Sequence, residues 1–127
     1  MQEPLVYEYA VIRVLPQVER EEFFNVGLVL FCKCRKYIRM AFLFDETKFS
    51  TFQSELTSEQ VISNLQAFEL ISKGDSNAGR IAQEEPAERF RWLTAVRSSC
   101  IQTSRPHPGL STNLDETFDK LFQELVS

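Results

Sequence analysis

Histidine is almost missing from this chain: His107 is the only one in 127 residues. Cysteine stops at three, Cys32, Cys34 and Cys100, and glycine at four. So few nitrogen and sulfur donors argue against a zinc centre, which takes four such ligands or an equivalent set. No metal or cofactor is expected. An odd, small cysteine count without an export signal also argues against a disulfide framework. The cysteines read as buried structural residues, with Cys32 and Cys34 on one face of a strand-like run. No apolar run approaches the roughly 20 residues of a membrane helix; the longest is Val26 to Cys32. Met1 to Val6 has no basic region and no long apolar stretch, so no signal peptide and a cytoplasmic location are expected. The GxSxG, Walker, GxGxxG and HExxH patterns are absent, which removes the usual sequence signs of catalysis.

What the chain does have is bulky apolar material. It contains 11 Phe and one Trp, and 43% of its residues are hydrophobic. A chain of this length suits one domain over residues 1–127, which buries roughly two-thirds of its unfolded surface. The net charge of −4 disfavours a general nucleic-acid coat, which would draw on clustered Lys and Arg.

The hydrophobic periods place the elements. Tyr7 to Leu15 reads as a strand ended by Pro16. Val26 to Cys32 is almost wholly apolar and reads as a central strand covered on both faces. Gly27 at its start marks a bulge or a close backbone approach. Lys33 to Lys36 forms a polar connection to a third strand, Tyr37 to Phe44. Then the period changes. Phe49, Phe52 and Leu56 have helical spacing after Asp45 as N-cap. Thr57 and Gln60 form a capping box for a second helix with Val61, Leu65 and Phe68 on one face and Gly74 at its end. Ser76 to Gln83 reads as loop. Pro86 opens a short helix anchored by Phe90, Trp92 and Leu93. Cys100 to Ser104 reads as a fourth strand and Arg105 to Ser111, with two Pro and one Gly, as loop. Asn113 caps a last helix whose Leu114, Phe118, Leu121, Phe122 and Leu125 form one apolar stripe. Grouped strands and helices predict an α+β fold: an antiparallel sheet of about four strands in the order βββ-αα-α-β-α, with helices mainly on one face.

The polar residues fall into clusters. From Arg89 to Leu114 there is no acidic residue, yet Arg89, Arg91, Arg97, Arg105 and His107 lie there with Trp92, Ser98 and Gln102. That reads as an anion- or partner-binding edge, because Arg meets carboxylate and phosphate in a planar fork. Against it stands internal pairing with Glu84, Glu85 and Glu88 or with Asp115, Glu116 and Asp119. A second cluster, Arg20, Glu21, Glu22 and Asn25, precedes the central strand and reads either as turn chemistry or as part of a site. Arg13 and Arg39 interrupt apolar strands. Either must find a carboxylate or carbonyl if a helix covers it, and both could join an anion site if their face is open.

Two stretches carry a resemblance. One runs from Tyr9-Ala10-Val11-Ile12-Arg13-Val14 through Arg20-Glu21-Glu22-Phe23-Phe24-Asn25-Val26-Gly27. The other is Glu88-Arg89-Phe90-Arg91-Trp92-Leu93, followed by Arg97-Ser98, Gln102, Ser104, His107 and Gly109. As a pair they resemble the bacterial DUF3037 family, a domain of unknown function, over nearly the whole chain. The resemblance implies a stand-alone bacterial cytoplasmic protein and, through an association with genes for HipA-type kinase-like proteins, a regulatory protein partner. The matching residues include Arg13, Arg20, Glu22, Asn25, Gly27, Arg89, Arg91, Trp92, Arg97, Ser98 and His107.

Three functions follow as expectations. The first is a non-catalytic interaction module that binds a protein partner through the Arg-rich second half. The second is a phosphate or nucleic-acid-binding module in which Arg13, Arg20, Arg89, Arg97 and His107 converge. The third is a hydrolase or nuclease-like enzyme with Glu22 or His107 as acid and base. The sites named are binding residues; no catalytic residue is assigned.

Overall fold

A computed structural model describes residues 3–17, 22–52, 54–95 and 99–127. Arg20, Arg97 and Ser98 lie outside the described residues. Strand β1 (Leu5–Val14) runs through the middle of a five-stranded antiparallel sheet. On one side it pairs with β2 (Phe24–Cys32), which pairs in turn with β3 (Tyr37–Phe42). On its other side β1 changes partner along its length. Leu5 to Tyr9 pair with β5 (His107–Ser111), and Ile12 to Val14 pair with β4 (Ile101–Thr103). Ser104 occupies the junction. Its backbone N–H donates to the Val11 carbonyl at 2.8 Å, and its hydroxyl accepts from the Val11 N–H at 2.9 Å. A side-chain oxygen thus serves β1 where no strand carbonyl reaches, which keeps a buried donor satisfied.

β2 is buried along nearly its whole length, as its unbroken apolar run predicts. The register slips between Ile12 and Arg13, so that Ile12 faces Gly27 and Arg13 faces Asn25. The unpaired residue of the slip is Val26, next to Gly27, and Gly27 itself shows the close backbone approach. A Cβ at Gly27 would lie 2.9 Å from the Ala41 carbonyl and 3.2 Å from Ile12.

One correction concerns Arg105 to Ser111, which reads as loop but forms strand β5 from His107 onward. Among the described residues it pairs with β1 alone, so it is an edge strand, and an edge is where a sheet tolerates proline. Composition hid a strand that the neighbouring β1 imposes. A second concerns the first helix. α1 covers only Glu46–Ser50, capped by the Asp45 side chain, and stops before Phe52 and Leu56. Those two still pack on the core, from a turn rather than a helix.

α2 (Ser58–Lys73) has the Thr57–Gln60 capping box, and Gly74 ends it in the left-handed region at φ 71°. A short 3₁₀ turn, Ile81–Gln83, interrupts the expected loop, and α3 (Pro86–Leu93) follows. α1, α2 and α3 bury Phe49, Val61, Leu65, Phe68, Phe90 and Leu93 against Ala10, Ile12, Val14, Val29 and Phe31 of the sheet. Three of the four helices therefore share one face. α4 (Leu114–Leu125) alone covers the other, packing Leu114 and Phe118 on Tyr7, Leu28, Leu30 and Cys32. Fully burying a side chain of that kind is worth about 1.5–3 kcal/mol, which fixes α4 to the sheet. Among the described residues no helix is long and apolar enough to cross a membrane.

Candidate functional site

Side chains alternate between the two faces of a strand, and directly paired residues share a face. On β1, Ala10, Ile12 and Val14 point to the three-helix layer. Tyr7, Tyr9, Val11 and Arg13 therefore line the α4 side. The strand register brings Gly109 opposite Tyr7, His107 opposite Tyr9, Gln102 opposite Arg13 on one flank and Asn25 opposite Arg13 on the other.

α4 does not cover all of this face. Its footprint lies over β2 and β3 and takes in Tyr7 at the start of β1. At its first turn Tyr37 donates to Asp115 at 2.6 Å, and Arg39 reaches Asp115 at 3.4 Å and Asp119 at 3.2 Å. The Arg39 guanidinium also lies 4.2 Å from the Phe118 ring centroid. At its far end the Asn25 amide donates to the Leu125 carbonyl at 3.0 Å. Burial and the Asp115 hydrogen bond together push the Tyr37 hydroxyl up to about 12.

From Tyr9 onward a polar and aromatic stripe follows β1, with the buried Tyr7 behind it. The Tyr7 and Tyr9 ring centroids are 6.3 Å apart, and Tyr9 and His107 are 5.3 Å apart. Gly109 permits this, because a Cβ there would overlap the Tyr7 ring. Farther along, the Arg13 guanidinium lies 4.4 Å from the centroid of Phe23, whose side is half exposed. Among the described residues no carboxylate pairs with Arg13. Its Nε is buried without a hydrogen-bond partner, and so is the Oδ1 of Asn25 on the paired position. Buried polar atoms are ordinarily satisfied, so an unmet donor and an unmet acceptor side by side mark this end of the stripe.

The two strand arginines named from the sequence thus have opposite situations on one face. Arg39 sits at α4 and is answered by two aspartates. Arg13 sits outside α4 and has an aromatic ring and, among the described residues, no counter-charge.

The Arg-rich second half does not join this stripe. Arg89 lies in the three-helix layer and is buried. Its guanidinium donates to the carbonyls of Ile71, Ser72 and Glu84. The expected convergence of Arg89 with Arg13 and His107 is therefore not formed: a helix C-terminus with unsatisfied carbonyls has claimed Arg89. Arg91 is exposed and pairs with Glu88 at 2.8 Å. Trp92 keeps 39% of its surface exposed and packs edge-on against Phe68. It borders an apolar groove of about 450 Å³ with Phe68, Ile71, Cys100 and Ile101. Glu22 is exposed and lies just before β2, at the Arg13 end of the stripe, whereas His107 faces Tyr9. Four residues of β1 separate those ends, about 13 Å at roughly 3.3 Å per residue, so Glu22 and His107 form no acid–base pair. Among the described residues no group of three or more His, Cys, Asp or Glu side chains could hold a metal ion.

Sequence reasoning missed Tyr9 and Phe23 as site residues. Their signal was the two-residue spacing of Tyr7, Tyr9, Val11 and Arg13, which places them on one face. It also expected buried cysteines throughout, but Cys34 is exposed, because it stands in the turn after β2 rather than in the strand.

No curated protein and no solved structure matches the chain. A family of proteins of unknown function, DUF3037, matches residues 9–126, which takes in every strand and helix from the middle of β1 onward. The chain belongs to the DUF3037 family.

Proposed function

We propose that this protein is a non-catalytic interaction module that docks a protein partner on the stripe of sheet left open by α4. The observation that carries this reading is the contrast between the two arginines: Arg39 neutralised by Asp115 and Asp119, and Arg13 stacked on Phe23 with its Nε unmet. An Arg backed by an aromatic ring suits a carboxylate from a partner, since such pairs are the frequent hot spots of interfaces. Gln102 and Asn25 flank it with amide groups, and Tyr9 and His107 extend the contact area along β1. The family resemblance suggests a HipA-type kinase-like protein as the partner, in a bacterial cytoplasm; the geometry itself supports an acidic contact on that partner.

The test is a pull-down of the tagged chain from its host, with and without nuclease, followed by a binding titration of the recovered protein. A partner recovered in both samples supports the module. Arg13→Ala should then weaken binding by about 2 kcal/mol, roughly thirtyfold in Kd, and Phe23→Ala should act in the same direction. Arg91→Ala, on the opposite face, should leave Kd unchanged. A partner whose affinity ignores Arg13 and Phe23 would sink the assignment of this surface.

One observation favours a second reading. Tyr9 and His107 set a half-buried and an exposed ring side by side on the part of the sheet outside α4, an arrangement on which single-stranded bases stack. Against it stands the net charge of −4. Binding of a single-stranded oligonucleotide that weakens steeply with salt would favour this reading over the first.

A further inference from the structure

The β2–β3 hairpin turns through Lys33 to Lys36, closed by a 3.2 Å bond from the Lys36 N–H to the Lys33 carbonyl. This turn brings Cys34 back over the end of β2, and its sulfur lies 3.8 Å from that of Cys32. The two thiols are in unlike surroundings. Cys32 is wholly buried against the α4 layer, and Cys34 is exposed. Cys34 also lines a groove of about 1180 Å³ at the end of the sheet, between the start of β1 and the start of α4. The third cysteine, Cys100, is buried beside the groove lined by Phe68, Ile71 and Trp92, in the three-helix layer.

From this juxtaposition we infer that Cys32 and Cys34 are a reversible dithiol–disulfide site that exchanges with small-molecule disulfides, with Cys34 as the attacking thiol and Cys32 as the resolving one. The inference is independent of the docking surface, which lies at the other end of β1. In the first step the Cys34 thiolate attacks one sulfur of a disulfide RSSR; a Cys34–SR bond forms and RS⁻ leaves. In the second the Cys32 sulfur attacks the Cys34 sulfur; the Cys32–Cys34 bond forms, a second RS⁻ leaves, and each RS⁻ takes up one of the protons lost from the two cysteines. The protein dithiol is oxidised by two electrons and RSSR is reduced to two RSH. Closing the bond brings the sulfurs from contact to about 2.05 Å, a movement within reach of an exposed turn side chain. The hydrogen bond with Cys32 holds the Cys34 thiol above its ordinary value. That slows the first attack, which needs thiolate, and favours the reduced pair, because the bond is lost when the disulfide forms. A ring closed over a single intervening residue, Lys33, is tight, and tight disulfides are the readily reduced ones.

The experiment treats the reduced, folded chain with oxidised glutathione, blocks remaining thiols with an alkylating agent, and weighs the products. The expected product has lost two hydrogens, carries no glutathione, and alkylates once, at Cys100, after unfolding. Trypsin cuts after Lys33 and should leave two peptides joined through Cys32 and Cys34. Cys32→Ser should stop at a glutathione adduct on Cys34, and Cys34→Ser should not react while folded. Because Cys32→Ser removes a buried thiol, Cys34→Ser provides the control that keeps the core intact. A wild-type chain that retains glutathione, that dimerises through Cys34, or that keeps both thiols free would overturn the proposal.

Discussion

The Arg89 guanidinium donates to the Ser72 carbonyl at 2.6 Å, across the last turn of α2. The same nitrogen reaches the Ile71 carbonyl at 3.2 Å, and Nε reaches Glu84 at 3.0 Å. Gly74 makes room for it, since a Cβ there would lie 3.0 Å from the guanidinium. One side chain from α3 thus supplies a donor to the Ser72 carbonyl at the end of α2 and a second bond to Ile71, which also accepts the Gly74 N–H. Arg89→Ala should lower stability by about 2 kcal/mol, because it leaves the buried Ser72 carbonyl without this donor while Ile71 keeps the Gly74 N–H. Urea unfolding measures it, with the midpoint falling and the slope preserved. A loss under about 0.5 kcal/mol, the range of ordinary surface changes, would show that water replaces the guanidinium without penalty.

Arg13 and Arg39 should respond in the opposite order in stability and binding. Arg39→Ala removes a cation from between Asp115 and Asp119 and uncovers Phe118, so a loss of about 1 kcal/mol is expected. Arg13→Ala removes no ion pair among the described residues, only a half-exposed contact with Phe23 and a donor that is already unmet, so its effect on unfolding should stay within about 0.5 kcal/mol. Parallel urea titrations decide this. A large loss at Arg13 would make it a fold residue and withdraw it from the docking surface.

How far these sites were legible in the sequence depended on which neighbour decides. Local signals carried well. The Thr57–Gln60 box and Gly74 bounded α2, and the apolar run in β2 announced a strand covered on both faces, because each rests on residues adjacent in the chain. Partner-imposed structure did not. His107–Ser111 became a strand since β1 had a free edge, and Arg89 became structural since α2 ended beside it; neither fact is written near those residues. Arg13 and Arg39 were both visible as charges in apolar strands. Only the path of α4 separates the paired one from the unpaired one.

Gly27→Ala should destabilise by about 1–3 kcal/mol. Its Cβ would press on the Ala41 carbonyl of the neighbouring strand, at 2.9 Å, and on the Ile12 and Phe42 side chains at 3.2 Å. A backbone oxygen in a paired strand cannot rotate away, so β2 and β3 must part or the bulge must shift. Thermal unfolding is the measure. Unchanged stability would mean that the bulge absorbs a methyl group.

Lys36→Gly should act the other way. Lys36 closes the hairpin turn at φ 50°, the only non-glycine residue with positive φ among those described. The left-handed conformation disfavours a side chain by about 1–2 kcal/mol. Glycine removes that strain but loosens the unfolded chain, so a net gain of up to about 1 kcal/mol is expected. A loss instead would show that the Lys36 side chain makes contacts worth more than the strain.

Tyr37 links the hairpin to α4 through a proton. Its hydroxyl donates to Asp115, and burial together with that bond raises it from 10.0 to about 12. The folded chain therefore holds this proton more tightly than the unfolded one. The resulting stability is complete below pH 10, where both states are protonated, and drains away as pH rises toward 12. Phenolate absorbance should show a late step near pH 12 in the wild-type chain that Tyr37→Phe lacks. Asp115→Ala should move that step downward without returning it to the ordinary value, because burial, the larger cause, remains. Across the same alkaline window the wild-type urea midpoint should fall more than that of Tyr37→Phe. If the two fall in parallel, the Tyr37–Asp115 bond contributes nothing to seating α4, and the helix is held by its apolar contacts and by Arg39 and Asn25.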